Sequence, residues 1–170
     1  TRNESSAASD VYKRQDEKAF SLPRPLIGHD NCNFSFSGLK TALIRLSRKL
    51  EPVDQITKIN IAASYQKAII ECLVDRTKNS ITLSKKMHPD LTIKNLVASG
   101  GVAANKKLTE ELRNLAIDNK MKFISPPAEL CTDNAAMIAW AGCLRMKEGF
   151  LNNEMISAKA RWPLEEVVKK

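Results

Sequence analysis

Between Gly38 and Leu50 the leucines at 39, 43, 46 and 50 fall on one helical face, while Lys40, Arg45, Arg48 and Lys49 lie mostly elsewhere, and Pro52 closes the segment. A longer helix follows over about residues 54–85. Ile59, Ala62, Ala63, Gln66, Ile69, Ile70, Leu73, Val74, Thr77 and Ile81 form its wide, largely apolar face, and its length predicts a scaffold packed against a sheet. The run at 93–99, with Leu96, Val97 and Ala98, reads as a buried strand. It ends in Gly100-Gly101, after which Leu108, Leu112 and Ala116 recur at helical spacing over about 105–119. A short strand at 122–125 stops at Pro126-Pro127. The spacing then predicts a last helix from Thr132, whose hydroxyl is placed as its cap, to about Lys147, with Gly149 to stop it. Upstream, Phe34 and Phe36 alternate with Ser35 and Ser37, which predicts a half-buried strand running into a helix at Ser37-Gly38.

Strands alternating with helices indicate an α/β layer with a mostly parallel sheet. Two strands do not make a stable sheet domain, so either further strands lie in residues 20–36 or the chain is part of something larger. Residues 1–19 are polar and without period, and are expected to be a disordered or non-native leader ahead of a domain spanning 20–170. "LPRPL", Leu22 to Leu26, reads as an extended connector restricted by its prolines. The C-terminal "ISAKARWPLEEVVKK" reads as a basic tail anchored by Trp162 and Leu164.

Composition narrows the classes. With 170 residues, 43% hydrophobic and 27% charged, the chain can bury a core. The charge of +8 suits an anionic partner such as RNA or a lysine-rich solvated face. Phe34, Phe36 and Tyr65 do not form a base-stacking set of the RNP kind. Cys32, Cys72, Cys131 and Cys143 contain no CxxC pair and read as reduced thiols. No apolar stretch approaches the length of a membrane span, so no membrane association is expected. His29 and His88 are far apart and read as loop residues, and neither HExxH nor GxSxG occurs, which argues against a self-contained hydrolase.

Three stretches could carry chemistry. In "SGGVAAN", Gly100 and Gly101 let backbone N–H groups approach a phosphate or ribose, with Asn105 offering an amide at the helix start. The same residues also suit a tight strand-to-helix turn capped by Asn105. There is neither a GxxxxGK[ST] nor a GxGxxG pattern, so any nucleotide site is of another kind. In "ELCTDNAAMIAWAG", Asp133 is placed in the first turn of a helix, as a metal ligand or a capping carboxylate, and the small residues Ala135, Ala136, Ala139, Ala141 and Gly142 predict close packing on a neighbour. In "FSFSGLKT", the Ser37-Gly38 junction is either a second anion site or an ordinary turn.

Taken together, "FSFSGLKTAL", "IAASYQKAI", "LVASGGVAANKKL", "PPAELCTDNAAMIAWAG" and "RWPL" resemble, in order, the C-terminal half of the TsaD-type tRNA N6-adenosine threonylcarbamoyltransferases, over about Leu22 to Leu164. The resemblance implies one lobe of an actin-like, sugar-kinase and heat-shock ATPase fold. The activity it implies moves the threonylcarbamoyl group from threonylcarbamoyl-AMP to N6 of the adenosine beside the anticodon, in tRNAs reading codons that begin with A.

It further implies that Gly100 and Gly101 touch the adenylate, that Asn105 binds substrate and that Asp133 binds a divalent metal, iron or similar. Ser37, Gly38 and Lys40 carry the family signature without an assigned role. The implied partners are tRNA and the helper proteins TsaB and TsaE, or a homodimer. The setting is the bacterial-type cytoplasm, or the mitochondrion for an organelle-targeted gene. The family's histidine pair at HxxxH spacing has no counterpart here, so the metal site is expected to be incomplete and the chain inactive by itself. A kinase or ATPase relative of the same fold, and a non-catalytic pairing module, are the competing readings. The basic residues Lys159, Arg161, Lys169 and Lys170 would hold tRNA phosphates or serve solubility.

Overall fold

A computed structural model describes residues 15–150. Residues 1–14, the larger part of the expected leader 1–19, and residues 151–170, with Lys159, Arg161, Trp162, Leu164, Lys169 and Lys170, lie outside the described residues. The elements run α1 (Ser37–Lys49), α2 (Gln55–Met87), β1 (Asn95–Val97), α3 (Lys106–Asp118), β2 (Lys122–Ile124) and α4 (Ala135–Lys147).

α2 spans 33 residues and begins where the pattern placed it, because the Asp54 carboxylate accepts the Thr57 N–H at 2.8 Å and caps its first turn. α1 buries Leu39 and carries Arg48 and Lys49 in its last turn, where cations oppose the negative end of the helix dipole. The two strands pair in parallel with Leu96 opposite Phe123, and α3 forms the crossover between them. Leu96 and Phe123 are half-buried while their strand neighbours are exposed, and Val97 is 62% exposed. The run at 93–99 is therefore a short strand with one covered face, and not the fully buried strand expected from its apolar residues.

Packing depends on helices more than on the sheet. Ile70 and Ile81 of α2, Leu108, Leu112, Leu115 and Ala116 of α3, and Met121 form one buried cluster, with Leu96 and Phe123 against it. A second cluster joins Leu22, Leu39 of α1 and Ala68 of α2. Thus a two-stranded sheet persists because α2 and α3 supply the apolar cover that it lacks. Among the described residues no further strand is present in 20–36. Phe34 to Phe36 are irregular, and Phe34 is 54% exposed with its ring stacked near that of Phe36. Alternation alone cannot make a strand where no neighbouring edge takes up the backbone hydrogen bonds. The preceding loop is instead tied to α2: the buried Arg76 guanidinium donates to the Asn31 carbonyl at 2.6 Å and also pairs with Asp75.

Residues ahead of Leu22 reach α2 as well. The Glu17 carboxylate accepts from Lys67 at 2.8 Å and from Lys107 at 3.3 Å, and the Phe20 N–H donates to Ser64 Oγ. The hydrogen bond from Lys67, helped by that from Lys107, holds the Glu17 carboxyl below its ordinary range, and Glu17 in turn raises the Lys67 ammonium.

Candidate functional site

The backbone itself builds the glycine corner. Gly100 has φ +87°, a conformation that side chains rarely tolerate, and a single tight helical turn, Gly101–Ala104, follows it. A Cβ placed on Gly100 or Gly101 would meet nothing within 4 Å, so the corner is bare and open. Asn105 then caps α3, its Oδ1 accepting the Leu108 N–H at 3.1 Å.

This corner faces α2 across a cavity of about 510 Å³, lined by Gly101, Val102, Asn105 and Leu108 on one side and by Tyr65, Gln66 and Ile69 among the α2 residues on the other. The arrangement brings together two residues singled out from the sequence, Gly101 and Asn105, and adds Gln15, Tyr65 and Gln66, which sequence reasoning did not assign. Gln66 carried only the signal of a polar residue in the largely apolar stripe of α2, and Tyr65 only its place beside it in "IAASYQKAI".

Asp133 and the Ser37-Gly38 junction do not line this cavity. Asp133 is exposed and precedes the helix; it does not lie in the first turn as the pattern predicted. The cap is Asn134, whose Oδ1 accepts the Met137 N–H at 3.0 Å and whose Nδ2 donates to the Thr132 carbonyl. Thr132 was the expected cap, but the preceding turn Ala128–Leu130 carries the chain past it, and its carbonyl serves Asn134 instead. α4 itself buries none of its residues, so the close packing expected of its small side chains has no partner among the described residues. At the start of α1, Ser37 accepts the Thr41 hydroxyl through its carbonyl at 3.0 Å, Lys40 is exposed, and Gly38 has open space around it.

Burial pushes the Cys72 thiol up, away from the thiolate, which disfavours it as a nucleophile, and all four cysteines are free. A second groove of about 590 Å³, lined by Glu17, Lys67, Glu71, Lys78, Lys107 and Glu110 among others, mixes both signs of charge and has its lysines at 67 and 107 already engaged by Glu17.

Residues 2–140 match the profile of a family described as TsaD: tRNA N6-adenosine threonylcarbamoyltransferase. The chain belongs to this family. Proteins named tRNA N6-adenosine threonylcarbamoyltransferase from Brucella suis, Brucella ovis and Brucella canis are each 46% identical to it over 151 residues, which is 89% of this chain and 42% of theirs. The chain thus spans less than half the length of these TsaD relatives. The matched region contains the glycine corner, Asn105, the whole of α2 and Asp133. No helix among the described residues is long and apolar enough to cross a membrane.

Proposed function

We propose that this chain forms one wall of the cleft of a tRNA N6-adenosine threonylcarbamoyltransferase, as the C-terminal lobe of an actin-like, sugar-kinase and heat-shock ATPase fold. The observation that carries the reading is the meeting of Gly101 and Asn105 on one cavity opposite α2, beside backbone that no side chain covers. In this reading Gly100 and Gly101 lie against threonylcarbamoyl-AMP and Asn105 holds it through its side-chain NH2. The acyl group then passes to N6 of the adenosine adjacent to the anticodon in tRNAs reading codons that begin with A, and AMP leaves. This chain contributes binding and orientation, which lower the entropic part of the barrier to acyl transfer.

Asp133 would supply one carboxylate oxygen to a divalent metal, iron by family resemblance. Among the described residues no group of three His, Cys, Asp or Glu side chains could hold an ion, so they make up no more than part of such a site. The net charge of +8 supports tRNA as the macromolecular partner. The exposed apolar surface of α4 supports a protein neighbour, with TsaB, TsaE or a second copy as the partners considered. The proposed setting is the bacterial-type cytoplasm, or the mitochondrion for an organelle-targeted gene.

The test replaces the matching part of the Brucella suis relative with this chain and measures threonylcarbamoyladenosine in tRNA by mass spectrometry. We expect the chimera to modify tRNA, and Asn105→Ala or Asp133→Ala within it to lower the rate at least tenfold. A folded chimera without activity, or full activity in both variants, overturns the reading.

A further inference from the structure

α1 carries Lys40, Arg45, Arg48 and Lys49 and no carboxylate, whereas α3 sets Glu110, Glu111 and Asp118 against its three cations. Its apolar side is spent on the core: Leu39 is buried in the cluster with Ala68, and Ala42 and Leu46 pack against that cluster. The side turned to solvent holds two helical rows, Lys40–Ile44–Arg48 and Thr41–Arg45–Lys49, and all six residues are exposed. From Lys40 to Arg48 the rise is about 12 Å, at ~1.5 Å per residue. A nucleic-acid strand carries a charge every ~3.4 Å of duplex axis, so one strand laid along the helix meets several of these cations. None of the four is ion-paired among the described residues.

Two features select the partner. Three residues ahead of the helix the Phe34 ring is 54% exposed, and it stacks on Phe36 with centroids 6.3 Å apart. That leaves aromatic surface open to an unpaired base, which an acidic peptide would not use. A membrane is a poor match as well, because Ile44 is the one large apolar residue on the exposed rows, too little to enter a lipid interface. The other concentration of cations, Lys85, Lys86, Lys94, Lys120 and Lys122 at the far end of α2, is diluted by Asp90 and Asp118. Lys85 there is already engaged by Asn119 Oδ1 at 3.0 Å.

We propose that the exposed face of α1, with Phe34 at its head, is an RNA-docking surface: Lys40, Arg45 and Arg48 take backbone phosphates, and Phe34 stacks on an unpaired base of a loop. No α1 residue lines the cavity beside the glycine corner. The inference rests on the tRNA partner of the proposed function and gives that partner a surface outside the cleft.

The test follows the fluorescence anisotropy of a labelled anticodon stem-loop RNA, and of its stem as a plain duplex, with the 170-residue chain over a series of KCl concentrations. The stem-loop is expected to bind more tightly than the duplex. Lys40→Gln, Arg45→Gln and Arg48→Gln together should weaken it at least about tenfold at low salt and make the plot of log K against log salt shallower by about 2, the share of three phosphate contacts. Removing three cations elsewhere, with Lys86→Gln, Lys94→Gln and Lys122→Gln, should change binding by less than about twofold. Phe34→Leu keeps the apolar bulk and loses the flat ring. It should weaken the stem-loop about fivefold or more, with the duplex and the salt slope unchanged. Matching urea midpoints check that the variants fold.

Equal losses from the two triple variants would mean that only net charge counts, which overturns the α1 surface while tRNA binding stands. Stem-loop and duplex bound alike, with no effect of Phe34→Leu, overturn the stacked base. Binding of heparin or of anionic lipid vesicles through the same lysine and arginines, without RNA binding, reassigns the face and overturns the inference. A chain that binds neither RNA overturns it too, and tRNA modification by the chimera then shows that the reading beneath it survives.

Discussion

The glycine corner and the segment that carries Asp133 are built in opposite ways. The glycine corner and Asn105 are fixed to α3, which buries Leu108, Leu112, Leu115 and Ala116 against α2, so the cavity wall inherits the rigidity of a closed core. Asp133 leads into α4, where Ile138 is 67% and Trp140 64% exposed and nothing is buried. An apolar helix left this open has not found its cover among the described residues. The residues of the glycine corner are thus positioned by packing that is present, whereas Asp133 has no such support among the described residues.

The largest effect that could break this contrast comes from core deletion. Leu112→Ala should cost about 2–5 kcal/mol of unfolding free energy, whereas Ile138→Ala should stay within about 0.5 kcal/mol, both read from urea denaturation. Equal losses would mean that α4 is covered after all.

The helix caps give a finer comparison. Asn105→Ala should lower global stability by about 1 kcal/mol, because α3 is part of the core. Asn134→Ala should leave the denaturation midpoint nearly unchanged while speeding hydrogen exchange at the Met137 amide, the group that loses its acceptor.

The smallest expected effect is one of pH. The folded value of Glu17 lies below its ordinary 4.5, so the stabilisation from Lys67 and Lys107 is complete above that value and fades as pH falls through the depressed one. The gap in melting temperature between the native chain and Glu17→Gln should therefore be present at neutral pH and close in acid, with added salt shrinking it as well. A gap that widens in acid would reverse the assigned sign.

Much of this was legible in the sequence, but unevenly. The span of α2 could be read because its apolar stripe is long and Asp54 marks its start; Asn105 announced itself as a cap by its place before a periodic helix. Phe34 to Phe36 misled because alternation records the period of a strand and says nothing of a neighbouring edge. Thr132 misled because both it and Asn134 are good caps, and only the path of the Ala128–Leu130 turn decides between them. Gln66 was invisible as a site residue for a different reason. Its periodicity assigns it to a face, while the glycine corner it meets lies some way along the chain and reaches it only through the packing of α2 on α3.

α2 runs through both apolar clusters, with Ala68 in one and Ile70 and Ile81 in the other. At 1.5 Å per residue, its 33 residues make a rod of roughly 50 Å. Ala68 and Ile70 are only two residues apart, so the two clusters hold different sides of the same stretch of this rod, and a side-chain change that shifts α2 there disturbs both at once.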